Sequence, residues 1–412
     1  MPDPLVIVDG VRTPFCKAGA DLAGLPADEL GRIAVNALLT KTGFDPELVD
    51  ELIFGCVCQP VEAANVARVI ALRAGLPQTS TAATVHRNCA SGFEAITTAA
   101  ERILSGHGSI FIVGGTESMS QVPLLYTEAA ARKFAALSRA RGLPARLAAL
   151  GAFRPSDFKP RVALKLGLTD PVSGMNMGET AEVLAREFRI SRARQDEFAL
   201  RSHERAIAAE ARLAEEICPV YLPGGRAAHP VLHDHGPRAG QSLGALAKLK
   251  PVFDRRHGSV TAGNSSQITD GAVALLVMAE SRANALGLKS IGRLAGWAYT
   301  GCDPARMGLG PVSAIRKLTD ATGHSPSDVE LIEINEAFAA QVLAVLQSLA
   351  DVPEERLNVN GGAIALGHPV GATGARLTLT ALKELGRRGG GRAIVSACVG
   401  GGQGAALLLE RL

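Results

Sequence analysis

The chain has 412 residues, with 43 Lys and Arg against 40 Asp and Glu, 45 Gly, and only 12 Phe, 3 Tyr and 1 Trp. A composition of 47% hydrophobic and 20% charged residues excludes a disordered chain. A net charge of +3 with so few aromatic rings excludes a general nucleic-acid binder or base-stacking platform. The length predicts two or three domains, and much glycine with little aromatic bulk points to close backbone approaches.

In chain order, Leu5 to Val8 predicts a first strand, with no basic leader before it. No apolar run reaches the roughly 18 residues of a membrane span, and Ala272 to Ala279 is strand-length. The seven cysteines, Cys16, Cys56, Cys58, Cys89, Cys218, Cys302 and Cys398, contain no Cys-x-x-Cys pair. Scattered, odd-numbered thiols fit a reducing, cytoplasmic compartment. Cys56-Val57-Cys58 alternates within a strand-like run and reads as core packing.

A weak internal repeat organises the rest. Glu29 to Thr40 predicts an amphipathic helix, then a turn at Gly43-Phe44-Asp45-Pro46, then a strand from Val49 to Phe54. Val85 leads to Cys89, a helix from Phe93 to Leu104, and a strand from Ile110 to Val113 ending in Gly114-Gly115. The same order returns downstream, with a helix from Ser313 to Thr322, the turn Gly323-His324-Ser325-Pro326 and a strand from Asp328 to Glu333. Leu357 to Val359 then leads to the loop carrying His368, a helix from Ala375 to Leu385, and a strand from Ala393 to Ser396 ending near Gly400-Gly401-Gly402. This alternation predicts parallel α/β halves in a duplicated, layered fold. Cys89 and His368 then occupy comparable strand-to-helix corners.

The intervening region, Val122 to Ser266, has another character. Between Val122 and Lys165 it holds nine basic residues opposed only by Glu128 and Asp157. A solvated face, a polyanion site, an acidic partner chain and a membrane surface all fit that pattern. Glu179 to Glu216 predicts two charged helices, with Ser191 as an N-cap. His229, His233 and His235 have conceivable metal spacing but read as a Gly/Pro-flanked surface loop. Gly402-Gln403-Gly404 lacks the third glycine of a dinucleotide loop.

Four short motifs carry chemistry. Cys89, in Asn88-Cys89-Ala90-Ser91-Gly92, stands just ahead of a helix, where the dipole favours a thiolate; taken alone it reads better as an inert buried thiol. His368, in Gly361-Gly362-Ala363-Ile364-Ala365-Leu366-Gly367-His368-Pro369, is a rigidly held imidazole suited to act as base toward a thiol. Cys398-Val399-Gly400-Gly401-Gly402 supplies a second thiol and accessible N–H groups. Asn335, in Asn335-Glu336-Ala337-Phe338, can orient a water or a carbonyl.

Together, in this order and spacing, the motifs resemble the thiolase family over essentially the whole chain, including Gly114-Gly115-Thr116-Glu117-Ser118-Met119-Ser120 and Thr261-Ala262-Gly263-Asn264. The resemblance implies a layered α-β-α-β-α fold. Residues 1–121, completed by about 267–289, would form the N-terminal half, 122–266 an inserted loop domain binding coenzyme A, and 290–412 the C-terminal half. It implies reversible acyl transfer between acyl-CoA and acetyl-CoA through an acyl-cysteine. Cys89 would be the nucleophile, His368 its base and Cys398 the acid/base for the α-proton. His368 with a water on Asn335 would form one oxyanion hole, and the N–H groups of Cys89 and Gly400 the other.

Ser266, Phe253, Met177, Ala337 and Phe338 would contact coenzyme A and line its channel. The resemblance further implies no metal and no cofactor, coenzyme A and its thioesters being substrates, and a homodimer or homotetramer. Asn176 departs from the His that many short-chain members place there, and the long basic stretch is similar to the β-subunit thiolases of the trifunctional fatty-acid-oxidation complex. These features suggest a range wider than acetoacetyl-CoA and a hydratase/dehydrogenase α-subunit as a partner. The alternatives are a decarboxylating condensing enzyme, which lacks the second Cys, and a non-catalytic CoA-binding subunit.

Overall fold

The computed structural model describes residues 3–222 and 230–411. The strands are β1 (Leu5–Arg12), β2 (Cys16–Lys17), β3 (Glu51–Gly55), β4 (Thr81–Val85), β5 (Ile110–Ser118), β6 (Leu124–Leu125), β7 (Arg161–Val162), β8 (Thr269–Ala279), β9 (Gly292–Gly301), β10 (Leu331–Ile334), β11 (Gly391–Val399) and β12 (Gln403–Arg411). Nine of them run in the order β10-β11-β12-β9-β1-β8-β5-β3-β4, with β2 beside β8.

The duplication is visible in this order. Reading outward from the seam, one half runs β1, β8, β5, β3, β4 and the other β9, β12, β11, β10. The place matching β4 in the second half is a single bridge from Leu357 to Ile332. Among the described residues the halves meet edge to edge through the ladder pairs Val6↔Arg293 and Ile7↔Gly292, with Ile291 N donating to Ile7 O at 2.8 Å.

Side-chain alternation along the strands builds the layers. On β8, Val273, Leu275 and Val277 face an inner core, while Ala272, Ala274, Leu276 and Met278 face an outer one. On β12, Ala405, Leu407 and Leu409 point inward, and Ala406 and Leu408 point to the opposite outer layer. The helices Ala27–Thr42 and Val66–Arg73 cover the first outer face, and Gly310–Thr322 and Ala339–Ser348 cover the second. Between the sheet faces lie the helices that follow Cys89 (Ser91–Leu104) and His368 (Thr373–Arg387). This is the expected α-β-α-β-α layering. The Thr373–Arg387 helix is buried at twelve of its fifteen residues, including the polar Arg376, Thr378, Thr380 and Glu384.

Two expectations are corrected. The halves are mixed rather than parallel: β10-β11, β3-β5 and β3-β4 pair parallel, but β11-β12 and β5-β8 pair antiparallel. A tight Gly400–Gly402 turn joins β11 to β12, and such a short connection returns a strand only antiparallel. Cys56-Val57-Cys58 is not strand. The ladder ends at Gly55, and the N–H groups of Val57 and Cys58 turn toward the Glu117 carboxylate at 3.2 and 2.7 Å. The cysteines Cys16, Cys56, Cys58, Cys89, Cys218, Cys302 and Cys398 are all free thiols.

Residues 122–169 form a separate compact unit, the remainder of the chain forming the other. In it, β6 and β7 pair antiparallel, the helix Glu128–Arg139 is capped by Thr127, and Phe134 packs against Tyr126, Phe153 and Phe158. Of its cations, Arg132 pairs with Glu128 and Lys133 with Asp157; no other basic residue there meets a carboxylate among the described residues. No helix among the described residues is long and apolar enough to cross a membrane.

The two central helices touch at glycines. A Cβ on Gly92 would lie 2.6 Å from Ala375 N, and one on Gly374 would lie 2.4 Å from Phe93 N. Gly374→Ala should therefore destabilise the fold by about 1–3 kcal/mol in urea denaturation, as overpacking does. Gly24→Ala, with nothing near its added carbon, should leave the midpoint unchanged. Equal midpoints for both variants would disprove this contact.

Candidate active site

Cys89 sits in a turn stiffened by its neighbours. Asn88 adopts a left-handed conformation with φ 44°. The Ser91 hydroxyl donates to Asn88 O at 2.7 Å and accepts from Arg87 N at 2.9 Å. The Asn88 amide donates to Gly400 O at 2.7 Å, tying the Cys89 turn to the turn after Cys398. The Gly400 and Cys89 N–H groups both favour negative charge on the Cys89 sulfur. Cys398 is fully buried and close enough to Cys89 and Cys302 for their charges to act on it.

The His368 ring is held in one orientation. Thr373 donates its hydroxyl hydrogen to Pro369 O at 2.9 Å, so the 2.6 Å contact with His368 Nδ1 has the ring as donor. That fixes the proton on Nδ1 and leaves Nε2 as an acceptor. Asn335 Nδ2 lies 3.4 Å from Nε2, while Asn335 Oδ1 is buried without a protein partner. The His368 N–H donates to the Thr269 hydroxyl at 3.1 Å. Gly367 has φ 102°, and any Cβ there would run into Thr269, so a glycine is required. Glu336, beside Asn335, accepts from Ser202, Asn358 and Ile364 N at 2.6–3.2 Å and fixes the loop leading to His368.

These groups rest uncharged. Burial pushes the Cys89 thiol up to about 11, against the lowering effect of the Gly400 and Cys89 N–H groups. The helix starts at Ser91, two residues on, and its positive end does not outweigh that desolvation. The thiolate expected from sequence is thus corrected to a thiol. Burial, then Arg376, holds the His368 imidazole down to about 4. Burial, then Cys89 and Cys302, puts Cys398 well above an ordinary thiol.

The residues expected to line the substrate channel also come together. Ala337, Phe338 and Cys398 share one apolar cluster, against which Met177 and Phe253 pack. Phe253 and Phe338 meet edge-to-face with centroids 6.1 Å apart. Ser266 N donates to Ala337 O at 2.9 Å. A Cβ on Gly400 would stand 3.1 Å from the Met177 sulfur, which brings the channel to the cysteines. Phe253 also lines a cleft of about 480 Å³, where Arg186, Arg255 and Arg256 stand among Glu179, Glu182 and Asp254. Asn176 caps the helix Met177–Glu187, accepting from Gly178 N at 3.1 Å, so its side chain has a structural task.

The sequence pattern missed several of these residues: Asn88, Thr269, Thr373 and Glu117. Thr373 was legible as a hydroxyl five residues beyond His368 at the start of a helix, and Glu117 as a lone carboxylate near the end of a largely apolar strand. Among the described residues no group of three or more His, Cys, Asp or Glu is placed to hold a metal. His235 lies 3.1 Å from Asp21, Asp234 turns inward to pair with Arg12 at 2.7 Å, and His229 is outside the described residues.

Residues 5–281 match the thiolase N-terminal domain and residues 288–411 the thiolase C-terminal domain. The chain belongs to the thiolase family. It is an acyltransferase of that family. A thiolase of Yersinia pestis strain Pestoides F, named 3-ketoacyl-CoA thiolase, is 42% identical over 99% of this chain and 97% of its own. Among solved thiolases, the Bacillus anthracis acetyl-CoA acetyltransferase superposes with a TM-score of 0.91 at 39% identity, covering 100% of this chain and 99% of its own. Human mitochondrial 3-ketoacyl-CoA thiolase gives 0.89 at 38% identity, covering 99% of each chain.

With its thiol near 11, Cys89 in the free thiolase should react with iodoacetamide ever faster from pH 7 to 10, without a plateau. The thiolate is the reacting form and its fraction rises about tenfold per pH unit below the pKa. A rate that levels off near pH 7 would show a resting thiolate instead.

Proposed function

We propose that this chain cleaves and forms 3-ketoacyl-CoA by reversible acyl transfer, with Cys89 as the acyl carrier. The observation that carries the reading is the 2.7 Å bond from Asn88 to Gly400 O, which joins the Cys89 turn to the turn after Cys398, itself packed in one apolar cluster with Phe253, Met177 and Phe338.

In thiolysis His368 Nε2 takes the Cys89 proton as the sulfur attacks the 3-keto carbon. The bond between C2 and C3 breaks, its electron pair forms the acetyl-CoA enolate, and the Cys398 thiol protonates C2. The incoming CoA thiol gives its proton to the Cys398 thiolate and attacks the acyl-cysteine; the released Cys89 sulfur recovers its proton from His368. The N–H groups of Cys89 and Gly400 hold the tetrahedral oxyanion, and His368 with a water on Asn335 holds the enolate oxygen. A buried, uncharged resting site supports this assignment, because desolvation strengthens every hydrogen bond to a developing oxyanion.

Coenzyme A is assigned to the channel, with Ser266 and Ala337 near the pantetheine and Arg255 and Arg256 near the phosphates. No cofactor or metal enters these steps. A cytoplasmic home is supported by the free thiols. A homodimer or homotetramer is supported by β4, which ends the sheet with one edge unpaired. A hydratase/dehydrogenase chain is proposed as the partner of the basic segment 132–165.

Cys89→Ala should lower acetoacetyl-CoA thiolysis by about 10³-fold or more while CoA binding persists. Cys398→Ser should still acylate Cys89 yet lose exchange of the acetyl-CoA α-protons. Exchange that survives in that variant would remove Cys398 from the acid/base role. A thiolysis series over chain length should extend beyond four carbons; a steep drop there would confine the enzyme to short substrates.

A further inference from the structure

Glu117 ends β5 with its carboxylate fully buried and with no cation paired to it among the described residues. One oxygen accepts from Cys58 N at 2.7 Å, and the other from Val57 N at 3.2 Å and Gly371 N at 2.8 Å. The Cys56 thiol adds a fourth, longer contact of 3.8 Å. Val57 and Cys58 belong to the first half of the fold. Gly371 belongs to the second, three residues beyond His368.

The seat around Gly371 allows little play. A Cβ on Gly115 would lie 2.0 Å from Gly371 O, and one on Gly371 itself would lie 2.8 Å from both Gly55 O and Thr116 O. The same strand end carries the Cys89 turn, since a Cβ on Gly55 would lie 2.7 Å from the Ser91 backbone. One carboxylate therefore joins the strand end under Cys89 to the loop that carries His368. An ionised carboxylate accepting several backbone N–H groups is among the stronger hydrogen-bonding arrangements available to a buried side chain.

We propose that Glu117 is a positioning residue for the acyl transfer: by holding the Gly371 amide against the β3 and β5 strand ends, it sets His368 at its working distance from Cys89. The inference rests on the assignment of those two residues above. Glu117 touches no substrate in this role; it acts through the backbone of the His368 loop. Its own charge has the opposite influence, since it raises the Cys89 thiol slightly rather than lowering it. Position and charge therefore predict different results when the charge is removed.

The test is Glu117→Gln, which keeps the shape, loses the charge and puts an NH₂ group against one of the N–H donors, with Glu117→Asp as a second variant. If position governs, kcat in Glu117→Gln falls on the order of tenfold to a hundredfold, the size expected from a misplacement of about 1 Å. KM for acetoacetyl-CoA stays within about threefold, because the channel of Phe253 and Met177 is untouched, and Cys89 alkylation at pH 8 slows. A kcat within threefold of the parent, or alkylation that speeds up, overturns the proposal in favour of a charge effect or a purely structural carboxylate. Glu117→Asp, one methylene shorter, should also lose kcat while remaining charged; full activity there overturns it too. Hydrogen exchange in the parent enzyme decides the matter even if both variants misfold: the Gly371 amide must exchange among the slowest in the chain, and fast exchange shows that Glu117 does not hold it. Loss of activity in Cys89→Ala together with an inert Glu117 would sink this proposal alone, whereas retained turnover in Cys89→Ala would sink the reading on which it rests.

Discussion

Everything in this fold depends on two helices meeting where neither has a side chain. Gly92 and Gly374 let the first turns of Ser91–Leu104 and Thr373–Arg387 come together backbone to backbone. That contact brings two remote loops, one ahead of each helix, into one site. It also explains the company the helices keep. Their flanks carry Ala, Leu, Ile and Phe packed between opposing sheet faces, and the buried Arg376 among them pairs with Glu333 at 3.3 Å. Larger residues at the crossing would separate the corners that carry Cys89 and His368.

The electrostatics follow from the same enclosure. Burial acts on each ionisable group there: it holds the Cys89 thiol near 11 and the His368 imidazole near 4, both in their neutral forms, and raises the Glu117 carboxyl to about 7 against its three N–H donors. Charge then appears only during the reaction, on oxygens facing N–H groups already in place. A site built this way spends no reorganisation on responding to that charge. The tautomer of His368 belongs to the same logic. Thr373 fixes it from within the protein, so the ring nitrogen facing the reaction is always the acceptor.

The repeat was legible because both copies keep the helix–turn–strand grammar at nearly equal spacing, with Gly43 and Gly323 both closing a helix in the left-handed conformation. Cys89, His368, Cys398 and Asn335 were legible through motif and order; the structure sets Asn335 beside His368 and Cys89 near Cys398, and packs Cys398 with Met177, Phe253 and Phe338. The mixed strand directions were hidden, since direction depends on whether a connection is a tight turn or a helical crossover and β8 arrives only after the long intervening region. The burial cost on Cys89 was hidden too. A residue two places ahead of a helix looks favoured for ionisation until the surrounding layers are known. Glu117 and Thr373 escaped notice because their roles lie in what their oxygens touch across the duplication, which no local pattern encodes.

The mirrored strand order, meeting at a seam of two residue pairs, bears on how such a protein can arise. One half by itself would uncover the face of its central helix that packs on the other half, and it would own either the Cys89 corner or the His368 corner but not both. A lone half would therefore hold only part of the site. The mirrored order fits two equivalent halves joined in one chain, each corner then free to specialise. Cys89 and His368 are the two outcomes of that freedom, one corner having become the carrier and the other its proton acceptor.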